Sequence, residues 1–293
     1  MSSEDAEGSW GRLTAPQISS KLRRVIESNQ GVALVRRPGE RLSEGIVTHL
    51  ERTPVDVDRA LQQHAAYRAA LADAGWHVTE VDPAPDHPDA VFVEDTVVVV
   101  GGLAVLTRSG APGRRGEVEG TRAALERLGV PTADLADGAP AGADPTLDGG
   151  DVLQVGSRVY VGRGGRTNAD GVRALRALVA PLGRTVVPVP LRAVLHLKSA
   201  VTALPDDTLV GLPDLLDAGA LPGLRVAPEE PGAHVVPLGE GRLLMSASAP
   251  RSAELFDDLG FDVVAVDIGE FEKLEGCVTC LSVLLPGVDG AAT

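Results

Sequence analysis

The sequence predicts an α/β fold built from about five similar units that form a closed array around a pseudo-fivefold axis. Two observations support this prediction. Amphipathic helical segments repeatedly end at a glycine that is followed by a β-rich run, and Gly75, Gly129 and Gly183 recur at equal intervals. Apolar hairpins also precede the helical segments along the chain. An ordinary α/β sandwich with coincidental spacing is the alternative that this pattern leaves open.

Each helical segment and the strand after it have the same form. A glycine just past the last helical turn adopts the left-handed conformation that commonly caps a helix. Four segments show the whole pattern, and their strands are predicted at Trp76–Val81, Val130–Leu135, Arg184–Val189 and Phe261–Val266. A degenerate unit fits the longer interval before the last strand, with Leu215–Gly219 as the helix end and Gly223–Val226 as the strand.

Paired strands are predicted in front of the helices. Two successive glycines separate Ala90–Val100 from Leu103–Thr107, and they suit the positive φ angles of a tight hairpin turn. Two further hairpins are predicted, Val152–Val155 with Arg158–Val161 and Val235–Leu238 with Arg242–Met245.

The domain organisation follows from the absence of a long linker between these units. We expect residues 31–290 to form a single catalytic domain. Residues 1–30 are polar and show no β-pattern before Gly31, so we expect them to form an appended, flexible arm.

The composition is that of an acidic globular protein. Its 293 residues are 44% hydrophobic, enough for a sizeable core, and the formal net charge is −14. An acidic surface repels phosphate backbones, so we expect no nucleic-acid partner. No apolar run approaches the roughly 18 residues of a membrane span, and the acidic N-terminal segment lacks signal-peptide features. With only two cysteines, we expect a reduced, cytoplasmic protein without a membrane partner.

Both cysteines lie in the C-terminal segment Leu274–Leu285. Cys280 stands between a glycine-containing turn and an apolar β-type run, a place that presents a nucleophile from the start of a strand. Cys277 and Cys280 form a C-x-x-C pair, but apolar and β-branched residues follow where a redox pair normally opens a helix. A zinc site would need two further ligands, and there is no second cysteine pair. Two buried structural cysteines are the alternative.

Among the six histidines, His196 has the most distinctive surroundings. Apolar residues flank it within Val194–Val201, so a buried imidazole there needs a partner and could serve as a general base. The other five are explained more simply as structural residues, and His64 is predicted on the polar face of a helix.

Acidic residues cluster at positions where burial needs an explanation. Glu94 and Asp95 interrupt an apolar strand pattern, whose alternation forces one of them inward toward a pocket, a pair or a cation. Asp148 and Asp151 flank two glycines at a turn before a hairpin, although a solvated turn is the alternative. With the thiol and the histidine, these carboxylates predict nucleophilic attack on a cationic small molecule.

The order of these motifs resembles the dimethylarginine dimethylaminohydrolase family, over about Arg37 to Leu285. The matching segments are Asp89 with Phe92-Val-Glu-Asp95, Leu147-Asp-Gly-Gly-Asp151, Gly165-Arg-Thr-Asn168, His196-Leu-Lys-Ser199 and Gly276-x-x-Thr-Cys280-x-Ser282. The family is part of the guanidino-group-modifying (pentein) superfamily, so the resemblance implies a five-bladed α/β propeller. Cys277 departs from the pattern, because an aliphatic residue is expected there.

The resemblance implies a role for each matching residue. Cys280 would be the nucleophile, His196 the general acid and base, and Asp148 the acid that orients His196. The substrate would be bound by Glu94 and Asp95 at the guanidinium, Asp89 and the Leu42 carbonyl at the α-amine, Arg114 and Arg166 at the α-carboxylate, and the Leu274 backbone. The glycine-rich segment Arg108–Gly116 would be a lid. Neither a metal nor an organic cofactor is implied.

The implied reaction is that of a dimethylargininase. Asymmetric dimethylarginine or monomethylarginine would be hydrolysed to citrulline plus dimethylamine or methylamine, through a covalent S-alkylthiouronium on the cysteine. An arginine deiminase-type hydrolase is one alternative, although that family carries a helical insertion for which this chain has no room. A non-catalytic propeller that binds a partner is the other. We expect a monomer or a homodimer.

Overall fold

The computed structural model describes residues 30–191, 194–217 and 219–287, and this part of the chain forms five three-stranded sheets. In each sheet the middle strand pairs antiparallel with one neighbour and parallel with the other. The predicted pseudo-fivefold α/β propeller is therefore confirmed. The expected N-terminal arm lies outside the described residues, apart from Gln30.

The strands follow one another from sheet to sheet along the chain. They are β1 (Gly31–Val35), β2 (Trp76–Glu80), β3 (Val97–Val100), β4 (Leu103–Leu106), β5 (Thr132–Asp134), β6 (Val152–Val155), β7 (Arg158–Arg163), β8 (Thr185–Pro190), β9 (Val201–Ala203), β10 (Leu209–Gly211), β11 (Arg225–Val226), β12 (Val236–Gly239), β13 (Arg242–Ser246), β14 (Asp262–Val266) and β15 (Val283–Pro286).

Helices connect the parallel strands in four of the sheets, because a parallel pair needs a crossover connection. They are α1 (Val57–Asp73), α2 (Val118–Leu128), α3 (Ala169–Val179) and α4 (Pro250–Asp258), and a short α5 (Gly269–Glu272) follows β14. In the fourth sheet a single 3-10 turn, Pro213–Leu215, takes the place of a helix, so this unit is the degenerate one that the sequence predicts. No helix in the described ranges is long and apolar enough to cross a membrane.

The ends of the described chain meet in the first sheet. Strand β15 pairs antiparallel with β1, from Gly31 opposite Pro286 to Leu34 opposite Val283. The last strand thus completes the sheet that the first strand begins, and the propeller closes into a ring. The closure also brings the cysteine-containing segment just before β15 against the other units.

Two local expectations from the sequence are wrong. The first hairpin begins at Val97, and the preceding Val93–Thr96 is a 3-10 turn in which both Glu94 and Asp95 are buried. The helical turn removes the strand alternation, so both carboxylates point into the protein and both have partners.

The second wrong expectation is the place of His64, which was predicted on the polar face of its helix. His64 lies on the inner face of α1, where burial and the nearby Arg68 cation lower its pKa to about 4.

Short 3-10 turns lie immediately before the first strand of each unit. Those before β3, β6, β9 and β15 are Val93–Thr96, Gly149–Asp151, Leu197–Ser199 and Thr279–Leu281, and neighbouring turns in this set contact one another. The turns therefore meet where the units converge, and they carry most of the chemically active side chains.

Tyr67 of α1 fixes the turn that carries Cys280. Its buried hydroxyl donates to the Val278 carbonyl at 2.8 Å and lies 2.8 Å from Ser282 Oγ. We expect Tyr67→Phe to lower the free energy of unfolding by about 1–2 kcal/mol, because it leaves a buried acceptor unpaired. Urea denaturation measures the change, and Tyr160→Phe in the third sheet is the matched control. An equal loss in both variants would contradict this role.

Candidate active site

Most of the predicted site residues surround one small buried cavity of about 20 Å³. Those that line it are Asp89, Asp95, Arg114, Arg166, His196, Leu274 and Cys280. Of the other predicted residues, Leu42 and Asp148 lie directly behind this lining, and Glu94 faces elsewhere. The ring therefore assembles a thiol, an imidazole, two guanidiniums and three carboxylate residues, the third being Glu275, around one space.

His196 is held by a fully buried carboxylate. Its Nε2 atom lies 3.1 Å from Asp148 Oδ2 and 3.8 Å from Asp95 Oδ1. Burial disfavours the imidazolium, but Asp95, Asp148 and Asp151 outweigh burial and raise the pKa of His196 to about 9. The imidazole is therefore protonated at neutral pH.

Asp148 connects several parts of the site. Besides His196, it accepts a hydrogen bond from Arg166 Nη1 at 3.2 Å and from the Gly110 N–H at 3.1 Å. Burial opposes its ionisation, yet the bond from His196 and the two nearby arginine charges hold its pKa well below the usual range. Asp148 thus stays an anion at the back of the cavity.

Asp151 supports the turn after His196 without reaching the cavity. Its carboxylate accepts from the Leu197 N–H at 3.0 Å and from the Thr167 hydroxyl at 2.5 Å. Burial raises the pKa of Asp151 to about 6, although the His196 charge opposes that rise. The two carboxylates of one short motif therefore differ, since Asp148 contacts the imidazole and Asp151 fixes the backbone.

Arg114 contacts a predicted guanidinium-binding residue. Its Nη1 atom lies 2.7 Å from Asp95 Oδ2, and its other nitrogens bind the buried Glu117 carboxylate. The second oxygen of Asp95 accepts from the Gly150 N–H at 2.9 Å. Burial opposes ionisation of Asp95, but His196 and Arg114 lower its pKa overall. In this conformation Arg114 binds the carboxylate that the sequence analysis assigns to the substrate.

Asp89 also lines the cavity. Its two oxygens accept from the Ile46 N–H at 3.0 and 3.2 Å. A Cβ atom placed on Gly45 would lie 2.8 Å from Asp89 Oδ1 and 3.2 Å from the Leu42 carbonyl oxygen. Gly45 therefore allows a carboxylate and a carbonyl oxygen to approach the same place, next to Leu274.

The Glu94 carboxylate, which the sequence analysis assigns to a substrate guanidinium, does not line the small cavity in this structure. Its oxygens accept from Lys198 Nζ at 2.6 Å and from the Thr279 hydroxyl at 3.1 Å. These three residues line a separate cavity of about 270 Å³. The Lys198 ammonium compensates the buried charge of the carboxylate.

The two cysteines are in contact. Their Sγ atoms lie 3.2 Å apart, and the Cys277 sulfur also lies 3.2 Å from Thr279 Oγ1. A hydrogen bond from the Cys280 thiol lowers the pKa of Cys277 well below its usual value. The same bond, together with burial and the Glu94 and Asp95 charges, raises the pKa of Cys280. The pKa of Cys277 therefore lies below that of Cys280.

A metal could in principle use part of this cluster. Asp95, Asp148 and His196 offer ligand atoms within 4.8 Å of one another. The guanidiniums of Arg114 and Arg166 already bind the carboxylates of Asp95 and Asp148. Protein cations therefore already balance the negative charge of these ligand atoms.

Several supporting residues are not identified by the sequence analysis. They are Tyr67, Glu117, Lys198 and Thr279. Lys198 could have been found, because it is one of only three lysines and lies inside a matching motif. Glu117 and Tyr67 give no local signal, since each acts on a residue that only the fold brings close.

Known proteins resemble this chain in sequence. No family model matches the chain. An N(G),N(G)-dimethylarginine dimethylaminohydrolase from Streptomyces coelicolor is 59% identical over 86% of this chain and 96% of the relative. The Pseudomonas aeruginosa enzyme of the same name is 33% identical over 85% of this chain and 97% of its own length.

A solved structure gives the same result for the fold. It is the Pseudomonas aeruginosa enzyme as a cysteine-to-serine mutant complexed with citrulline, and it superposes with a TM-score of 0.79 at 31% identity. The alignment covers 88% of this chain and 100% of that one. The chain belongs to the dimethylarginine dimethylaminohydrolase family, a family of hydrolases acting on C–N bonds within the pentein superfamily.

Proposed function

We propose that the protein hydrolyses asymmetric dimethylarginine and monomethylarginine to citrulline, releasing dimethylamine or methylamine. One observation carries the proposal. Cys280 shares a small cavity with His196, whose pKa is raised to about 9, and the carboxylates Asp89 and Asp95 line the same cavity. A thiol can attack the guanidinium carbon only if the cation is held and the leaving amine receives a proton, and this cluster offers groups for both.

The substrate would lie across the cavity with its two cationic groups on carboxylates. We assign the guanidinium to Asp95 and Asp148, and the α-amine to Asp89 and the Leu42 carbonyl. Arg166 and Arg114 would hold the α-carboxylate, and the Leu274 backbone would contact the substrate chain. Glu94 is not assigned to the guanidinium, because its carboxylate binds Lys198 on the far side of the turn.

Substrate entry would require Arg114 to move. A cavity of about 20 Å³ holds little more than one water molecule, and Arg114 occupies one oxygen of Asp95. The segment Arg108–Gly116, which carries Arg114, would act as the lid. As this segment moves, Arg114 would leave Asp95 and bind the substrate α-carboxylate. Asp95 would then be free to bind the substrate guanidinium.

The reaction would begin with loss of the Cys280 proton to solvent water as the cationic substrate binds, because the added positive charge favours the thiolate. The sulfur attacks the central guanidinium carbon, and His196 donates its proton to the departing amine. A covalent S-alkylthiouronium remains on Cys280. Neutral His196 then takes a proton from water, which attacks the same carbon, and the C–S bond breaks to release citrulline.

The first prediction of this function concerns the nucleophile. We expect Cys280→Ser to abolish citrulline formation and Cys277→Ser to retain most of it, because the attacking sulfur is assigned to Cys280. Mass spectrometry of acid-quenched wild-type enzyme should find a substrate-derived adduct on Cys280. An adduct on Cys277 would overturn the assignment.

A second prediction concerns the charge of His196. We expect Asp148→Asn to lower its pKa from about 9 by roughly one pH unit or more, because a carboxylate that favours the imidazolium is lost. Since the folded pKa exceeds the unfolded value of 6.5, the imidazolium stabilises the fold fully below pH 6.5, and this contribution is lost as the pH rises through 9.

An NMR titration of the imidazole measures that pKa. The exposed Asp144, which pairs with Arg108, provides Asp144→Asn as a matched control that should leave the value unchanged. An unchanged value in Asp148→Asn would mean that this carboxylate does not hold the imidazolium.

The decisive experiment compares four substrates. Each methyl group that fills an apolar space near the leaving nitrogen should contribute about 1 kcal/mol. We therefore expect kcat/KM for monomethylarginine and asymmetric dimethylarginine to exceed that for arginine. Symmetric dimethylarginine should be poor, because its second methyl occupies the nitrogen that Asp95 must bind.

Steady-state citrulline formation separates the possible functions. Arginine processed as fast as asymmetric dimethylarginine would make the protein a deiminase-type hydrolase. No turnover of any of the four compounds would favour a non-catalytic propeller.

A further inference from the structure

We propose that Cys277 is an oxidation site, at which a peroxide converts Cys277 and Cys280 into a disulfide that reversibly inactivates the protein. The loss of activity rests on the proposed function, in which Cys280 is the nucleophile, but formation of the disulfide does not.

The geometry of the turn suits a disulfide between these two residues. The Cys280 N–H donates to the Cys277 carbonyl at 3.1 Å, and this bond closes a tight turn. A turn of this kind keeps the Cα atoms of its first and fourth residues within about 7 Å, near the range that disulfides span. The Sγ atoms are 3.2 Å apart and need to approach to about 2.05 Å. A small side-chain adjustment within the turn would form the bond.

The two cysteines line different cavities. Cys280 lines the small cavity with His196, whereas Cys277 lines a second cavity of about 870 Å³ that also contains His234. A peroxide could therefore reach Cys277 without passing through the substrate cavity. The Cys277 sulfur, with the Cys280 thiol and the Thr279 hydroxyl beside it, is also the sulfur of the pair that ionises first.

The chemistry balances with one peroxide. The Cys277 thiolate attacks a peroxide oxygen, the O–O bond breaks, and the departing hydroxide takes up a proton to leave as water. Cys277 is then a sulfenic acid. The Cys280 sulfur attacks the Cys277 sulfur, the S–O bond breaks, and the released hydroxide takes the Cys280 proton to form a second water. Two thiols and one hydrogen peroxide thus give one disulfide and two waters.

The resulting state has a clear consequence and a clear reversal. A Cys280 sulfur engaged in a disulfide cannot attack a guanidinium, so the oxidised protein would be inactive. An added dithiol would reduce the bond and restore both thiols. If Cys277 were absent, Cys280 could not form the disulfide and would be oxidised further to sulfinic acid, which a dithiol does not reverse.

The experiment treats wild-type enzyme and Cys277→Ser with equimolar hydrogen peroxide. Trypsin releases both cysteines in one peptide that begins at Leu274. In wild type we expect this peptide to lose two hydrogens, to resist dimedone, and to regain its original mass with dithiothreitol. Citrulline formation should fall by at least tenfold (~1.4 kcal/mol) and recover with the same reagent.

The Cys277→Ser variant supplies the contrast. Its activity before treatment should be close to that of wild type, and peroxide should give a dimedone adduct or a sulfinic acid on Cys280, with little recovery in dithiothreitol. Cys277→Ala serves the same purpose if the serine variant does not fold.

Three results would overturn the proposal. They are free thiols in treated wild type, a sulfinic acid on Cys280 without the disulfide, and a disulfide between two chains on a non-reducing gel. The mass measurement does not depend on turnover. A protein that forms the disulfide but produces no citrulline before treatment would therefore refute the proposed function and leave the oxidation site intact.

Discussion

The centre of this structure depends on the pairing of buried charges. Asp95, Asp148, Asp151, Glu94 and Glu117 are all buried where the units converge. An isolated buried carboxylate is costly, so each of them must have a cation or several N–H and O–H donors beside it. His196, Lys198, Arg114 and Arg166 supply the cations, and turn backbones supply much of the rest.

This pairing links the reactive groups to one another. Asp148 contacts His196 and Arg166 together, while Asp95 contacts Arg114 and lies close to His196. A change in one charge therefore alters the protonation of its neighbours. Asp95 raises the pKa of His196 and also contributes to the raised pKa of Cys280, whose main causes are the hydrogen bond with Cys277 and burial.

The repeated architecture explains how distant segments come to share one site. Asp95, His196 and Cys280 lie in or beside the 3-10 turn that precedes the first strand of three different sheets, and Asp148 precedes the corresponding turn of a fourth. In a closed ring the equivalent position of every unit faces the same axis. Four of the five units therefore contribute a different functional group from a similar local position, and closure by β15 completes the set.

The sequence by itself determined the repeated helix, stop and strand pattern, because a capping glycine and an alternating apolar run are local properties. It also indicated the hairpins at Gly101 and Gly156, whose positive φ angles the structure confirms. His196, Cys280 and the acidic motifs were recognised as candidates because their residue types and order are readable along the chain.

Only the tertiary structure decided which of these groups face one another. The direction of Glu94 depends on Lys198, about a hundred residues away, and the local pattern read its 3-10 turn as a strand. The burial of His64 depends on α5 packing against α1, and the contact between Arg114 and Asp95 depends on how their segments meet. The sulfur contact of Cys277 and Cys280 depends on the 3-10 turn that precedes the predicted strand, β15. Each of these outcomes depends on a partner distant in sequence or on a backbone conformation that tertiary contacts stabilise. A local sequence pattern predicts neither the distant partner nor that conformation.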